Sequence, residues 1–144
     1  MAETLYWSED YTKQYVEALR SDPDFQKAAR KFQGAIVFRC LDTPEGTDVE
    51  ATYHIDHGAV RVDRRAEPAP SRAIRESKHD ASIAFARTTA PYALWCKLDR
   101  GEMNVLQAIA SPDYHVEGSK LKIMSNVGML NAMSAVASRV QKRY

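Results

Sequence analysis

Three successive stretches of alternating hydrophobicity early in the chain constrain its fold more than any other feature. Residues 35–41 are apolar at positions that face both sides of a strand, which is typical of the interior of a sheet. In residues 49–55 apolar and polar side chains alternate, and Asp56-His57-Gly58 then has the composition of a tight hairpin turn. Val60 and Val62 alternate with charged residues in the return strand. The sequence therefore predicts a three-stranded β-meander.

Two amphipathic helices are predicted before this meander. Ser8 is a suitable N-cap for a helix over residues 9–20, because its side chain can accept a hydrogen bond from a free backbone N–H of the first turn. Ser21-Asp22-Pro23 places a capping residue and then a proline at the start of a second helix, which Gly34 ends. Each helix has one apolar face, which we expect to be buried.

The stretch 66–79 is predicted to be a loop, because it holds two prolines and a serine in close succession. Its cationic residues allow two interpretations: a basic lip that attracts anionic head groups or membrane surfaces, or a solvated, mobile loop. After it, residues 81–86 predict a fourth strand, with Ile83 and Phe85 on one face and only small residues on the other.

The C-terminal part is predicted to be mainly helical. Two short helices, 91–99 and 105–110, come first, and an Asn-x-x-Gln pair before the second has the spacing of a capping box. A strand over 114–118 follows, and residues 119–140 then predict one long helix. Its apolar stripe consists of Leu121, Met124, Val127, Leu130, Met133, Val136 and Val140. Methionine is flexible and fills irregular spaces, so the methionines of this stripe indicate that the helix lines a binding site for an apolar ligand.

The composition argues against several classes of protein. A formal net charge of +1 argues against a nucleic-acid binder, which would be strongly basic. No apolar run approaches the ~18 residues of a transmembrane helix. The first residues lack the basic and apolar regions of a signal peptide, so we expect a cytoplasmic protein. Cys40 and Cys96 lie in apolar surroundings without CxxC spacing, which predicts buried free thiols.

No combination of residues predicts catalysis, a metal site or a cofactor. His54 and His57 are three positions apart, so in a strand they point to opposite faces and could not share a metal ion. His115 and Glu117 lie on the same face of their predicted strand and form one candidate acid–base pair. Cys96 would need a lowered thiol pKa to act as a nucleophile, and its apolar neighbours would raise that pKa.

Five short segments lie along the chain in an order that is typical of one protein family. They are 32–38 (FQGAIVF), 81–85 (ASIAF), 92–102 (YALWCKLDRGE), 108–109 (AI) and 114–119 (YHVEGS). Together with the glycine before the last helix, they resemble the sterol-binding domain family of sterol carrier protein 2, over about residues 22–140.

This resemblance implies an α+β domain. Its five-stranded, mostly antiparallel sheet would have helices over one face and a hydrophobic cavity between the layers. We expect one such domain over residues 1–144, with residues 1–21 as an N-terminal helical extension. The loop 66–79 is longer than the family's usual connection, and the N-terminal helix is an addition to the family's elements. Either would cap the cavity or mediate contacts in a homodimer.

Members of that family bind sterols, fatty acids, acyl-CoA or other lipids without catalysing a reaction. The resemblance therefore implies a lipid carrier that is not an enzyme. The basic lip would allow it to contact membrane surfaces transiently. We expect the cavity wall to include eleven residues of the sheet and the helices after it: Phe38, Tyr53, Phe85, Trp95, Leu98, Leu106, Ile109, Met124, Val127, Leu130 and Met133. Arg72, Arg75 and Lys78 are expected to position the head group of the ligand.

Two other interpretations remain open on the residues alone. One is a small α+β enzyme that acts on an apolar substrate through His115 and Glu117. The other is an interaction or dimerisation module with a filled core, because Met, Leu and Val at helical spacing also occur in ordinary cores. A cavity between the layers would favour the lipid carrier, and a filled interior would favour the interaction module.

Overall fold

The structure is a computed structural model that describes residues 3–144, without the side chain of Val105. Its strands are β1 (Thr4–Leu5), β2 (Gln33–Leu41), β3 (Thr47–Asp56), β4 (Ala59–Pro68), β5 (Ala86–Pro91), β6 (His115–Gly118) and β7 (Lys142–Arg143). Its helices are α1 (Glu9–Ser21), α2 (Pro23–Ala29), α3 (Arg72–Arg75), α4 (Tyr92–Asp99), α5 (Val105–Ile109), α6 (Lys120–Ser125) and α7 (Val127–Arg139).

Five strands form the main sheet, in the order β4-β3-β2-β5-β6. β2 and β5 run parallel, and the other neighbouring pairs are antiparallel. The predicted α+β class and the mostly antiparallel sheet are thus confirmed, and so is the meander. At its hairpin His57 adopts a φ of 51° and Gly58 a φ of 98°, which are the left-handed values that a two-residue turn requires. A separate pair joins the ends of the chain, because β1 lies parallel to β7.

One face of the sheet is covered by helices and is called the helical face below. Ile36 and Cys40 of β2 point to it and pack in one cluster with Tyr53 of β3, with Leu19 of α1 and with Met133 of α7. Since successive residues of a strand point to opposite faces, the intervening residue Arg39 points to the other face. The prediction of helices over one face is confirmed for α1, α4 and α7, whereas the single turn α3 contacts β3 from the other side.

The connection from β4 to β5 crosses that other face, which we call the crossover face. Ile74 of α3 is fully buried there, and Ala84 packs against Ala35 and Val37 of β2. The crossover therefore covers part of the sheet without a long helix. Toward β6 the same face is left with polar side chains.

Three sequence predictions about elements are wrong in detail. The predicted loop 66–79 is partly ordered, because β4 extends to Pro68 and α3 forms within it. The predicted strand 81–86 is a turn, and the fourth strand begins only at Ala86. The predicted long helix 119–140 is divided at Asn126, whose side-chain Nδ2 donates to the carbonyl of Lys122 at 2.8 Å.

The predicted caps of the helices are confirmed. Ser8 accepts a hydrogen bond from the backbone N–H of Tyr11, and Asp22 accepts one from that of Phe25. Asn104 and Gln107 form the reciprocal bonds of a capping box at α5. Each of these bonds satisfies a backbone donor that the first turn of a helix leaves free.

Gly118 is the glycine whose substitution we expect to be most damaging. Its φ is 129°, and a Cβ placed on it would lie 2.2 Å from the carbonyl oxygen of Phe85. Gly118→Ala is therefore expected to lower the free energy of unfolding by about 1–3 kcal/mol, measured by urea denaturation. Gly128 in α7 is the matched control, because a Cβ there meets no atom within 4 Å. Gly128→Ala should raise stability by about 0.5–1 kcal/mol. Equal effects of the two substitutions would contradict the steric argument.

Candidate functional site

The interior of the helical face is densely packed where α1 and α7 lie on the sheet. Met129 and Met133 of α7 are buried in the main cluster. The hydroxyl of Tyr15 in α1 donates to the backbone carbonyl of Met133 at 2.9 Å, which joins the two helices inside the core. Of the eleven predicted wall residues, Tyr53 and Met133 are buried here.

Half-buried apolar side chains border this core, and among them are Phe38, Phe85, Trp95, Ile123 and Leu130. We call these five the apolar margin. Phe38 contacts Trp95 edge-on at a ring distance of 5.8 Å, and the indole N–H of Trp95 donates to the carbonyl of Arg39 at 3.0 Å. Phe38 and Trp95 thus join the sheet to α4 within the margin. Four of its members are among the predicted wall residues.

Apolar side chains that lie further out, on α5, on α6 and at the start of α7, are exposed to solvent. Leu106 is 79% exposed and Met124 75% exposed, and more than half of the surface of Ile109 and of Val127 is accessible. Leu121 of α6, which the sequence analysis left out of the wall, is as exposed as Met124. Ser119, the residue that precedes α6, lies beside the margin, because its backbone N–H donates to the carbonyl of Phe85 at 3.2 Å.

Leu98, the remaining predicted wall residue, packs on a smaller cluster that Ala90, Leu94 and Ala108 form between β5, α4 and α5. The structure thus distributes the eleven residues over a core, a half-buried margin and an exposed periphery. Their role in ligand binding stays a prediction, as does an enclosed cavity between the layers.

Two cavities of the structure lie elsewhere. A pocket of about 350 Å³ lies between α1, the start of α2 and the end of α7, and Ala18, Val136 and Val140 contribute its apolar lining. A larger cleft of about 910 Å³ lies on the crossover face. None of the eleven predicted wall residues lines either space.

The larger space is called the polar cleft below. Its walls are strands β2, β5 and β6, the end of α3 and the segment that follows α3. It is lined by Arg39, Leu41, Arg75, Ser77, Lys78, His79, Arg87, Thr89, Tyr114, His115, Val116 and Glu117.

The three predicted head-group residues lie on the crossover. Arg75 and Lys78 line the polar cleft, and Arg72 projects into solvent beside Glu76, to which it donates at 2.7 Å. They are therefore on the side of the sheet opposite to the apolar margin. A contact between them and the head group of a lipid stays a prediction.

His115 and Glu117 point into the polar cleft from the same face of β6, as their spacing predicts. Glu117 is held in an ion pair by Arg87, whose Nε and Nη2 lie 2.9 and 2.8 Å from the same carboxylate oxygen. A carboxylate that is bound in this way orients an arginine and is less available to orient a histidine. The two histidines of the meander each pair with a nearby aspartate: His54 with Asp63 at 2.9 Å and His57 with Asp56 at 2.5 Å.

Sequence reasoning missed two of the three arginines that line the cleft. Arg39 and Arg87 are buried polar residues in the two central parallel strands, where apolar side chains are the rule. The sequence does contain a signal for Arg39, because it is a charged residue inside the otherwise apolar strand 35–41. A charged residue is rarely buried unless it is paired, so such a position indicates a buried polar site.

Both cysteines are buried and free, as predicted. Burial raises the pKa of the Cys40 thiol and that of the Cys96 thiol, so neither group is an activated nucleophile.

At pH 8 we expect both thiols of the native protein to react with an aromatic disulfide reagent far more slowly than free cysteine. Both should react at once in guanidinium chloride. Rapid modification of either thiol in the native protein would contradict this.

Among residues 3–144, no helix has the length and apolar character needed to cross a bilayer. Within the same range, no group of three histidine, cysteine, aspartate or glutamate residues is arranged to hold a metal ion.

Comparison with known proteins finds similarity in structure. No protein-family model matches the sequence, and no curated protein matches it significantly. A conserved hypothetical protein from Thermus thermophilus, described as a candidate sterol carrier protein, superposes with a TM-score of 0.70 at 18% identity. The match covers 99% of this chain and 94% of that one.

Two sterol carrier proteins give similar results. A crystal structure of sterol carrier protein 2 has a TM-score of 0.70 at 18% identity, over 94% of this chain and 98% of that chain. Domain 2 of the sterol carrier protein from Helicoverpa armigera has a TM-score of 0.58 at 17% identity, over 91% and 88%. The chain thus has the fold of a sterol carrier protein 2 domain.

Proposed function

We propose that this chain is a lipid-binding domain that acts without catalysis and holds the apolar part of its ligand on the helical face, over the apolar margin. The observation that supports this most directly is the exposure of large apolar side chains on α5 and α6, namely Leu106, Leu121 and Met124. Clusters of exposed large apolar residues on a water-soluble domain mark surfaces that another molecule covers.

The geometry of α6 adds to this support. Leu121 and Met124 are three residues apart, so they project from the same side of the helix. The structure buries no residue of α6 completely, and Ile123 is the residue of this helix that belongs to the margin and packs on the core. In our proposal the ligand lies against the margin beside Leu121 and Met124, and α6 flanks it.

The hydrophobic free energy of binding is similar for the candidate lipids and does not select one of them. Transfer of a methylene group from water is worth about 0.8 kcal/mol, so a chain of about fifteen methylenes gives roughly 12 kcal/mol. Association costs about 4–15 kcal/mol, which spans the range from marginal to tight binding. Sterols, fatty acids and acyl-CoA therefore all remain within the proposal, because each presents an apolar body of this size.

The test begins with native mass spectrometry of the purified protein, which should detect lipid that has copurified. Titration with a fluorescent fatty acid should then show saturable binding. Met124→Ser and Leu106→Ser each remove a large apolar contact worth about 1.5–3 kcal/mol, so each should weaken binding about tenfold or more. Both side chains are exposed, so the fold should tolerate the changes.

Ile83→Ser is the matched control, because Ile83 is also an exposed apolar residue but lies on the crossover, ahead of β5. It should change fatty-acid binding less than twofold. A preparation that contains no lipid and takes up no fatty acid would reject the proposal in favour of the filled-core module. Equal losses from Ile83→Ser and Met124→Ser would reject the proposed location.

We extend the proposal to the surroundings of the protein. A carrier of this kind would act in the cytoplasm and would contact membrane surfaces transiently, with α5 and α6 as the contact region. A homodimer through the helical extension 1–21 remains a secondary proposal. In the structure α1 buries Tyr11, Tyr15 and Val16 against the rest of the chain, so a dimer would have to use its outer face.

A further inference from the structure

The polar cleft is unusual because two guanidinium groups are buried side by side in it. Arg39 is 5% exposed and Arg87 6% exposed. They converge on the hydroxyl of Ser77, which lies 3.2 Å from Nη1 of Arg39 and 3.4 Å from Nη1 of Arg87. Burying two like charges together is unfavourable unless negative charge is brought close to both.

Only one of the two arginines has a full counter-charge. Glu117 forms a close ion pair with Arg87. The hydrogen bonds of Arg39 go to neutral acceptors, namely the hydroxyl of Thr89, the carbonyl of Ile74 and the hydroxyl of Ser77. The carboxylate of Glu50 is 4.0 Å from its Nη1, which is the limit of an ion pair. Burial and the neighbouring Arg87 both lower the pKa of Arg39, which indicates that its charge is incompletely compensated.

The other acidic groups around the cleft are already engaged. Asp48 and Asp42 both accept hydrogen bonds from Arg75, at 2.7–2.9 Å. Lys78, by contrast, is exposed on the cleft wall. The Nε2 atom of His79 is buried and has no hydrogen-bond partner within residues 3–144. The cleft thus places an exposed ammonium group and an unpartnered histidine nitrogen on the same wall segment as the hydroxyl that Arg39 contacts.

We propose that the polar cleft binds a small organic oxyanion, with a phosphomonoester as the best match, between Arg39, Lys78 and His79. Guanidinium and ammonium groups bind phosphate oxygens through charge-assisted hydrogen bonds. The volume of about 910 Å³ exceeds the space that inorganic phosphate needs and lies in the range of small-molecule sites. Leu41 and Val116 supply apolar surface for the organic part.

This second site is independent of the lipid proposal. It lies on the crossover face, and β2 separates it from the apolar margin, since Phe38 and Arg39 are adjacent residues that point to opposite faces. A soluble oxyanion should therefore bind whether or not a lipid occupies the helical face.

The test is an NMR titration of the isotope-labelled full chain with phenyl phosphate at constant ionic strength. Saturable shifts are expected at the backbone amides of Ser77, Arg87 and Glu117, and phenyl phosphate should bind more tightly than inorganic phosphate. Lys78→Gln removes one charge-assisted hydrogen bond and should weaken binding about tenfold. Lys78 is exposed, so the variant should fold.

Arg72→Gln is the matched control, because it removes a positive charge from the same crossover at a side chain that is 91% exposed and outside the cleft. It should change binding less than twofold. Shifts that fail to saturate, or equal losses in both variants, would overturn the proposal. A lysophosphatidate arm identifies the source of the oxyanion. If only that lipid binds, and Met124→Ser abolishes its binding, the oxyanion is a lipid head group and the separate site is wrong.

Discussion

Replacing Lys142 with alanine is expected to lower the free energy of unfolding by about 3–5 kcal/mol, measured by urea denaturation at pH 7. The side chains of Lys142 and Asp99 are each only 3% exposed, and their charged atoms lie 2.8 Å apart. Nζ also donates to the carbonyl of Ala137 at 2.7 Å. The alanine variant would leave the carboxylate of Asp99 buried without its cation, which is far more costly than the loss of a surface pair.

The surroundings of this ion pair increase the expected loss. The ammonium group lies 5.3 Å from the ring centre of Tyr6 and 5.7 Å from that of Tyr11, within range of cation–π attraction. The hydroxyl of Tyr144 also donates to Asp99. Since β7 contains Lys142, the variant should loosen the pairing of β7 with β1 as well.

Two variants test this explanation. Lys13→Ala removes a cation whose ion pair with Glu9 is about 70% exposed on both sides, so its effect should be below about 0.5 kcal/mol. The double variant Lys142→Met, Asp99→Leu removes both charges and should recover most of the stability, because no buried charge is left unpaired. If the double variant is as unstable as Lys142→Ala, lost packing and not an uncompensated charge is the cause.

The sequence does not predict this ion pair. Lys142 appears in the sequence as one of several basic residues after the last helix, where the helix dipole favours positive charge. It becomes buried because β7 pairs with β1, two strands of two residues each from opposite ends of the chain. Strands this short have no detectable alternation, so their pairing cannot be inferred from local pattern.

The parts of the fold that could be predicted depend on contacts close in sequence. β2, β3 and β4 follow one another through short turns, and their alternation is strong because one face of each is buried. The sequence predicts the strand before α4 five residues too early, at 81–86 in place of β5, for the opposite reason. The β5 residues Arg87, Thr88 and Thr89 are polar, and they are buried only because β2, β6 and Ser77 supply partners from distant parts of the chain.

The candidate site was predictable in composition and less so in geometry. Trp95 and Phe38, both predicted as wall residues, contact each other edge-on on the helical face. The break at Asn126 was not expected, since apolar residues at every third position continue through it. That break determines how Met124 and Val127 are oriented, and both are exposed in the structure.

The second large effect is expected at Asp48, whose replacement by alanine should cost about 2–4 kcal/mol at pH 7. This carboxylate is fully buried. It accepts hydrogen bonds from Nε of Arg75 at 2.7 Å and from the backbone N–H groups of Ser71 and Asp42 at 2.8 and 3.0 Å. Its removal would leave these donors without their acceptor and would release the crossover from β3.

The contribution of Asp48 should also depend on pH, with a defined sign. Burial alone would raise the pKa of this carboxyl group, but the hydrogen bonds from Arg75, Ser71 and Asp42 outweigh burial and lower it. A carboxyl group whose pKa is lower in the folded state stabilises the protein above its unfolded pKa of about 3.9. The stability difference between the wild type and Asp48→Ala should therefore be constant above about pH 5 and shrink as the pH falls below 4.

Asp63→Ala provides the control for this pH dependence. Burial alone would raise the pKa of Asp63, but hydrogen bonds from His54 and Arg61 together outweigh burial and lower that pKa, and the side chain is 62% exposed. Water compensates for most of what an exposed carboxylate loses, so the substitution should cost less than about 1 kcal/mol. A difference for Asp48→Ala that does not shrink between pH 5 and pH 2 would mean that shape, and not the charge of the carboxylate, stabilises the crossover.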